Sequence, residues 1–303
     1  MVNKTLPAAG AAPVVDKETG PIALQPRDVH FDWTGLTLRW IPNEPVASHT
    51  LSVLHLLLPE GENWFVEVFK RALPLIRDDA LREDVLGFIG QEAIHAASHQ
   101  SVLDYYATQG VDTSAYIKQI EWLFHRILGE RSDLSEASAR EQLIEHVSLV
   151  AAIEHFTAMM GAWVLDATAL DAANPHPVML DLLRWHGAEE VEHRNVAYDV
   201  LVHLDPGYAR RIRGMFIVLP LLTRLWARGA LFFARADHGK PSFKMSWRGY
   251  YAAARRGLLP TPGALGKCTL QYFRRDFHPS QYYSTAKCVA YLANSPAARA
   301  AAH

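Results

Sequence analysis

The pattern Glu-x-x-His occurs twice in strongly helical surroundings, as Glu92-Ala-Ile-His95 and, about a hundred residues later, as Glu190-Val-Glu-His193. A Glu and a His three apart lie within about 60° of each other around a helix, so each segment aims one carboxylate and one imidazole from a single face. One such pair carries little weight, because both residue types are common on helix surfaces. Two pairs carry more when two further helical segments each offer a lone glutamate, and Glu62 and Glu154 are placed to do so. The order Glu, Glu-x-x-His, Glu, Glu-x-x-His is that of four-helix bundles holding two iron or manganese ions. Two divalent cations in close proximity repel, and bridging carboxylates neutralise them while imidazoles complete the coordination. Without metal, four carboxylates converging in a core would be strongly destabilising or would take up protons.

Helical periodicity dominates the chain from Pro45 onward. Residues 46–58 form a short apolar helix, Pro59-Glu60-Gly61 interrupts it, and Glu62 to Ile76 continues with Trp64, Phe65, Val68, Phe69 and Leu73 at helical spacing. Asp78 or Asp79 caps a second helix that runs to about Gln109 and stops at Gly110. Residues 113–129 make a crossover helix, about 137–170 the third long helix, and Asn174-Pro-His-Pro177 opens the fourth, which ends before Asp205-Pro206-Gly207. A helix over 208–236, a loop at 237–241 and shorter helices at about 245–256, 262–274 and 281–296 follow. Residues 29–42, aromatic and β-branched, suit an extended strap or a small hairpin. The expected fold is all-α, a four-helix bundle over about 46–205 with additional C-terminal helices over about 206–296, in one domain from 29 to 303.

A chain of 303 residues, half of them hydrophobic, has ample material for a core. Its net charge of -2 sets up no global field toward nucleic acid or an anionic membrane. Cys268 and Cys288 are too few for a disulfide framework and lack metal-ligand spacing, which fits a reduced, cytoplasmic chain. Residues 1–28, rich in Ala, Pro and Val without the pattern of a signal peptide, read as a disordered tail. The longest continuous apolar run, Met215 to Leu222, is far shorter than the roughly 20 residues a crossing helix needs.

The expected metal ligands are Glu62, Glu92, His95, Glu154, Glu190 and His193. Glu189 also stands one turn from His193, but the spacing of Glu190 repeats that of Glu92 to His95. Glu189 and Gln91, each just before a ligand glutamate, are then placed to orient a histidine across the bundle. His186, one turn before Glu190, and His99, one turn after His95, each suit a further ligand, a donor to a ligand or a proton relay. His186 is expected as a ligand, and His99 and Glu189 as catalytic residues. Glu60, Glu67, Glu83, Glu121 and Glu192 read as solvated helix faces, and His155 as a packing or hydrogen-bonding residue.

The stretches Pro59-Glu-Gly-Glu62, Gln91-Glu-Ala-Ile-His95-x-x-x-His99, Ile153-Glu-His-Phe-Thr157 and Trp185-His-Gly-Ala-Glu-Glu-Val-Glu-His193 resemble the bacterial family of predicted metal-dependent hydrolases. Phe277-His278-Pro279 is similar to that family's closing motif. The resemblance covers about residues 30–295 and implies a ferritin-like fold. A second, local similarity is to the di-iron arylamine N-oxygenases, whose extra histidine ligand falls at His186.

Four carboxylates with two or three imidazoles suit two metal ions, iron first, with manganese or zinc as alternatives. The first expectation is therefore a di-iron oxidase or oxygenase that activates O2 and draws on an electron donor. Its small, largely apolar substrate would sit among Ala96, Thr157, Met160 and Trp163. The alternatives are a metal-dependent hydrolase using a metal-supplied hydroxide and a ferritin-like store or ferroxidase. The arginines of 208–236, interleaved with Phe216, Ile217, Leu221, Leu222, Trp226, Leu231 and Phe232, suit either packing with solvated charges or contact with the inner-membrane surface. In the second case a lipid-like substrate follows. No nucleic-acid partner is expected, and a homodimer is left open.

Overall fold

The computed structural model describes residues 23–237 and 245–302, and among these none forms a strand. Helix α1 (Pro45–Leu51) leads through Ser52 into α2 (Val53–Ala72), and α3 (Asp79–Thr108) returns alongside it. Helix α4 (Ser114–Glu121) runs into a π-helical turn at Trp122–Ile127 and crosses to α5 (Glu136–Asp166). The short α6 (Thr168–Ala172) precedes α7 (Pro177–His193), followed by α8 (Val196–Leu204) and α9 (Tyr208–Ala236). Helices α10 (Trp247–Arg255), α11 (Pro262–Tyr272), α12 (Thr285–Leu292) and α13 (Pro296–Ala301) complete the chain. The caps follow local chemistry: Asp78 accepts from Leu81 N at the start of α3, Ser135 from Ser138 N at the start of α5, and Gly110 adopts a φ of 83° just past α3.

Several expected boundaries move: the third long helix ends at Asp166, short of about 170, and the last expected helix, 281–296, is α12 over Thr285–Leu292. The first interruption falls at Ser52, and α2 runs straight through Pro59-Glu60-Gly61. An interior proline removes one backbone bond and disfavours a helix by about 3 kcal/mol. Here Leu56, Leu57, Trp64, Phe65, Val68 and Phe69 are all buried, and packing on several sides outweighs that loss. The fourth helix, expected to continue to about residue 204, instead ends at His193 and restarts as α8.

Helices α2, α3, α5 and α7 form the bundle, with α2 lying along α3 and α5 along α7. The α5–α7 crossing depends on two glycines: a Cβ on Gly187 would stand 2.7 Å from the Gly161 Cα and 3.0 Å from Val164 Cγ1. That close approach draws His186 and Glu190, on either side of Gly187, toward the face of α5 that carries Glu154. Around the bundle, α9 crosses α5 and α1, α10 packs on α1, α11 on α5, and α12 and α13 on α7.

Most of the expected N-terminal tail, residues 1–22, lies outside the described residues, but 23–28 are not free. Leu24 and Pro26 lie so close on α3 that a Cβ at Gly87 or Gly90 would come within 2.5 Å of their side chains. Beyond them the strap is extended with turns and is pinned by Trp33 Nε1 donating to Ser101 Oγ (2.9 Å) and Trp40 Nε1 to Ser52 Oγ (3.1 Å). Glycines on one face of α3 let this segment settle against the bundle, a long-range fit that composition does not reveal.

By length and composition α5 and α9 are both apolar enough to cross a membrane, which a search for continuous apolar runs does not detect. The apolar window of α5 is 72% buried inside the bundle, whereas that of α9 is only 22% buried.

Candidate metal centre

All nine candidate side chains are buried and stand on four helices: Glu62 on α2, Glu92, His95 and His99 on α3, Glu154 on α5, and His186, Glu189, Glu190 and His193 on α7. Their ligand atoms form two groups, each gathered within 4.8 Å: Glu62, His95, His186 and Glu190 in one, and Glu92, Glu154, Glu190 and His193 in the other. Glu190 belongs to both. The two members of each Glu-x-x-His segment do not stay together at α3. Glu92 goes with Glu154 and His193, while His95 goes with Glu62 and His186, because three residues also advance about 4.5 Å along the axis.

Both oxygens of Glu62, Glu92 and Glu154, Glu190 Oε2, His95 Nδ1 and His193 Nε2 are buried without a hydrogen-bond partner. So many orphaned acceptors and imidazole nitrogens facing one volume would be costly in a metal-free core, and they are the donor atoms that a pair of hard divalent cations requires. The residues fit two metal ions. Four carboxylates, Glu62, Glu92, Glu154 and Glu190, would balance the charge of two such ions.

Without metal the ionisation of the cluster is strained. Burial and the carboxylates of Glu92, Glu190 and Glu154 hold Glu62 well above the usual range. Burial and Glu154 do the same to Glu92, and burial with Glu190 pushes Glu154 up to about 7. At Glu190 burial also acts upward, but His193 and His186 outweigh it and hold the carboxyl well below its ordinary value. His193 is correspondingly held well above its ordinary value: burial acts downward, but Glu190 and Glu154 prevail. This pattern, with protons shared among facing carboxylates, is one that cations would replace.

The candidate ligand histidines are held from behind. His95 Nε2 donates to Glu189 Oε2 at 2.9 Å, which leaves Nδ1 facing Glu190 Oε1 at 3.6 Å. His193 Nδ1 donates to Gln91 Oε1 at 3.2 Å, which leaves Nε2 3.3 Å from both Glu92 and Glu154. Arg27, just before the strap, closes this layer, with Nη1 2.5 Å from Glu189 Oε1 and 3.0 Å from Glu192 Oε2. Glu192, expected on a solvated face, is thus buried beside Arg27 and Gln91 (Nε2 to Glu192 Oε2 3.3 Å).

Behind His186 stands a row of histidines. Its Nε2 lies 2.7 Å from Glu190 Oε1 and 3.4 Å from Glu62 Oε1, and its Nδ1 lies 2.8 Å from His99 Nε2. His99 Nδ1 in turn lies 2.7 Å from His55 Nδ1 on α2. If His186 Nε2 is to accept a metal, its proton sits on Nδ1, which donates to His99, and His99 Nδ1–H then donates to His55. Sequence reasoning missed His55, two turns before Glu62, because a buried histidine in an apolar run carries no local signal. Burial lowers it to about 3, so it is neutral at any ordinary pH. His99 and Glu189, expected as catalytic, do not line the cavity described next; His99 touches His186 and Glu189 touches His95. His155 is tied elsewhere, Nε2 2.8 Å from the Cys268 carbonyl.

A cavity of about 90 Å³ descends to His186 and Glu190. Its outer walls include the half-buried Leu54, Ile153, Met160, Trp163, Leu222 and Trp226, and its inner walls Leu58, Phe65, Leu183 and Gly187. Thr157 lines it too, with its hydroxyl donated back to the Glu154 carbonyl at 3.1 Å. Of the pocket residues expected from sequence, Thr157, Met160 and Trp163 are in the wall. Ala96 is not: it is buried on α3, away from the α2–α5–α7–α9 channel.

A model of the family described as predicted metal-dependent hydrolases matches residues 25–282. The chain belongs to that family. No curated protein and no solved structure matches it. The matched span begins in the segment before the strap, just ahead of Arg27, and includes every residue of the candidate metal centre of this predicted metal-dependent hydrolase.

Proposed function

We propose that this chain is a two-metal hydrolase acting on a slim, apolar substrate that carries a bond to be cleaved at its inner end. The supporting observation is the pair of four-residue clusters sharing Glu190, with His186 and Glu190 at the foot of an apolar channel. The family description points the same way. Two cations held there by these residues would supply polarisation of the scissile group and a water of lowered pKa. The chain's own residues do the rest. Glu189 and Gln91 lock the rings of His95 and His193 and leave one nitrogen of each for the metals. The row behind His186 does the same for its Nε2. Leu58, Phe65 and Leu183 keep bulk water from the inner face, and apolar contact alone positions the substrate. Typical ligand pockets measure about 300–1,000 Å³, so a narrow channel of about 90 Å³ suits a chain-like group better than a bulky polar one.

A second reading is oxidative: iron in the same two clusters, O2 as co-substrate and an external electron donor. It is favoured by the donor set, which is richer in carboxylate than the three-ligand sites typical of catalytic zinc. Metal analysis of the purified protein, followed by parallel assays of p-nitrophenyl ester hydrolysis and O2 uptake, separates the two. Two metal ions per chain with ester hydrolysis supported by zinc or manganese is the expected result. O2 consumption by the Fe(II)-loaded protein without hydrolysis would transfer the conclusion to the oxidative reading. Failure to take up metal under any loading condition would overturn both.

A further inference from the structure

We propose that the outer face of α9 rests on an anionic lipid surface, and that the channel beneath it draws an apolar chain from that surface to the metal centre. The second half rests on the function proposed above; the first does not.

Helix α9 holds six arginines and no acidic residue, in a chain whose net charge is -2. The arginines divide by position. Near the N-terminal end Arg210 and Arg213 are paired with Glu145, and Arg211 is buried, donating to the Arg274 carbonyl. Toward the other end Arg224, Arg228 and Arg235 are exposed, and among the described residues no carboxylate pairs with any of them. Between and beside them Phe216 is 64% exposed, Ile217 46% and Leu231 42%. Exposed cations without a carboxylate partner, of which Arg228 donates to Gln119 Oε1, alternating with exposed large apolar side chains along one helix face are what a negatively charged bilayer surface accommodates, with the apolar groups at acyl depth and the guanidinium groups at the headgroups.

The helix lies on the surface without crossing it. Its inner face is committed to α1 and α5, and Trp226 Nε1 donates to the Thr50 carbonyl at 2.8 Å. Leu222 and Trp226 are at once half-exposed on α9 and part of the channel wall, so the channel begins where the helix would meet lipid. A second copy of the chain is the less favourable occupant, since two such faces docked by a twofold axis would set arginine against arginine.

The test is co-sedimentation of the full chain with phosphatidylcholine vesicles with and without phosphatidylglycerol, at low and high salt, alongside solution mass measurement. Binding to the phosphatidylglycerol vesicles that weakens with salt is expected. It should fall at least about tenfold in Arg224→Glu/Arg235→Glu, and be lost in Ile217→Glu/Leu231→Glu, with helix content and metal content unchanged in both. A wild-type chain that stays in solution at low salt, or variants that bind as well as wild type, would overturn the proposal. So would a dimer that Ile217→Glu/Leu231→Glu converts to monomer without any vesicle binding. Because the assay needs neither metal nor turnover, a failed hydrolysis experiment leaves it standing, and its own failure leaves the metal centre standing.

Discussion

His95 and Glu189 join α3 to α7 through a 2.9 Å hydrogen bond that fixes which imidazole nitrogen faces the carboxylates. The same device is repeated between His193 and Gln91. In both cases the orienting residue immediately precedes a ligand glutamate and acts on the histidine of the opposite helix. Removing such a partner typically lowers metal affinity about 10–100-fold. Glu189→Ala should therefore weaken metal binding within that range and Glu189→Gln, which keeps an acceptor, considerably less. Competition against a chelator of known affinity measures both.

Glu190 is common to both clusters, whereas Glu62 and Glu154 each serve one. Glu190→Ala should leave the protein unable to hold either ion tightly. Glu62→Ala and Glu154→Ala should each retain about one ion per chain. Plasma-emission analysis of protein loaded and then desalted distinguishes a shared ligand from two separate ones, and equal losses in all three variants would contradict the sharing.

His55 acts through His99 on His186, two hydrogen bonds away from the candidate ligand. His55→Phe should free His99 to turn and loosen the cluster that contains Glu62, leaving the cluster that contains Glu154 occupied. The expected loss is about tenfold in affinity for one ion only, read as two separated steps in a metal titration. A uniform loss of both would mark a general packing defect instead.

Arg27 pairs with two almost fully buried carboxylates, Glu189 and Glu192, and its own side chain is 26% exposed. Breaking a buried pair by removing one partner destabilises by about 3–5 kcal/mol, and partial exposure of Arg27 places the expectation at the lower end or below it. Arg27→Ala should lower stability in denaturant unfolding by about 2–3 kcal/mol. Trimming only residues 1–22 should not.

The metal-free protein should lose stability as pH rises above about 6.5. Burial and neighbouring carboxylates raise Glu62 and Glu92, and burial with Glu190 raises Glu154 to about 7. His193 is also raised, burial being outweighed by Glu190 and Glu154. Each of these groups binds its proton more tightly folded than unfolded, so stability declines as pH climbs toward the folded-state value. Buried His55, His95 and His99 are shifted down, chiefly by desolvation. They act in the opposite sense, but only below the ordinary value of 6.5, where the unfolded chain takes up protons that the native state refuses. Thermal melts of chelator-treated protein across neutral pH should show the decline, and metal-loaded protein should not.

Local chemistry determined the all-helical character, most helix boundaries and the nine Glu and His side chains of the candidate centre, because 3.6-residue periodicity and capping are written in near neighbours. The contacts of Gln91 and Glu189 with a histidine of the opposite helix were legible too, since each adjoins a candidate ligand glutamate. Tertiary structure alone decided how that set divides. Glu92 and His95 part company because axial rise along α3 sends them to different clusters, and Glu190 is shared because Gly161 and Gly187 let α5 and α7 come close. His55, Arg27 and Glu192 gained their places through contacts between residues 44 to 165 positions apart, which no short pattern encodes. The same holds for Pro59, whose local preference to end a helix yielded to the packing of α2, and for the channel, whose walls come from elements far apart in the chain, from α1 to α9. Periodicity shows which face of a helix is apolar or carries a ligand; only the packed chain shows what that face meets.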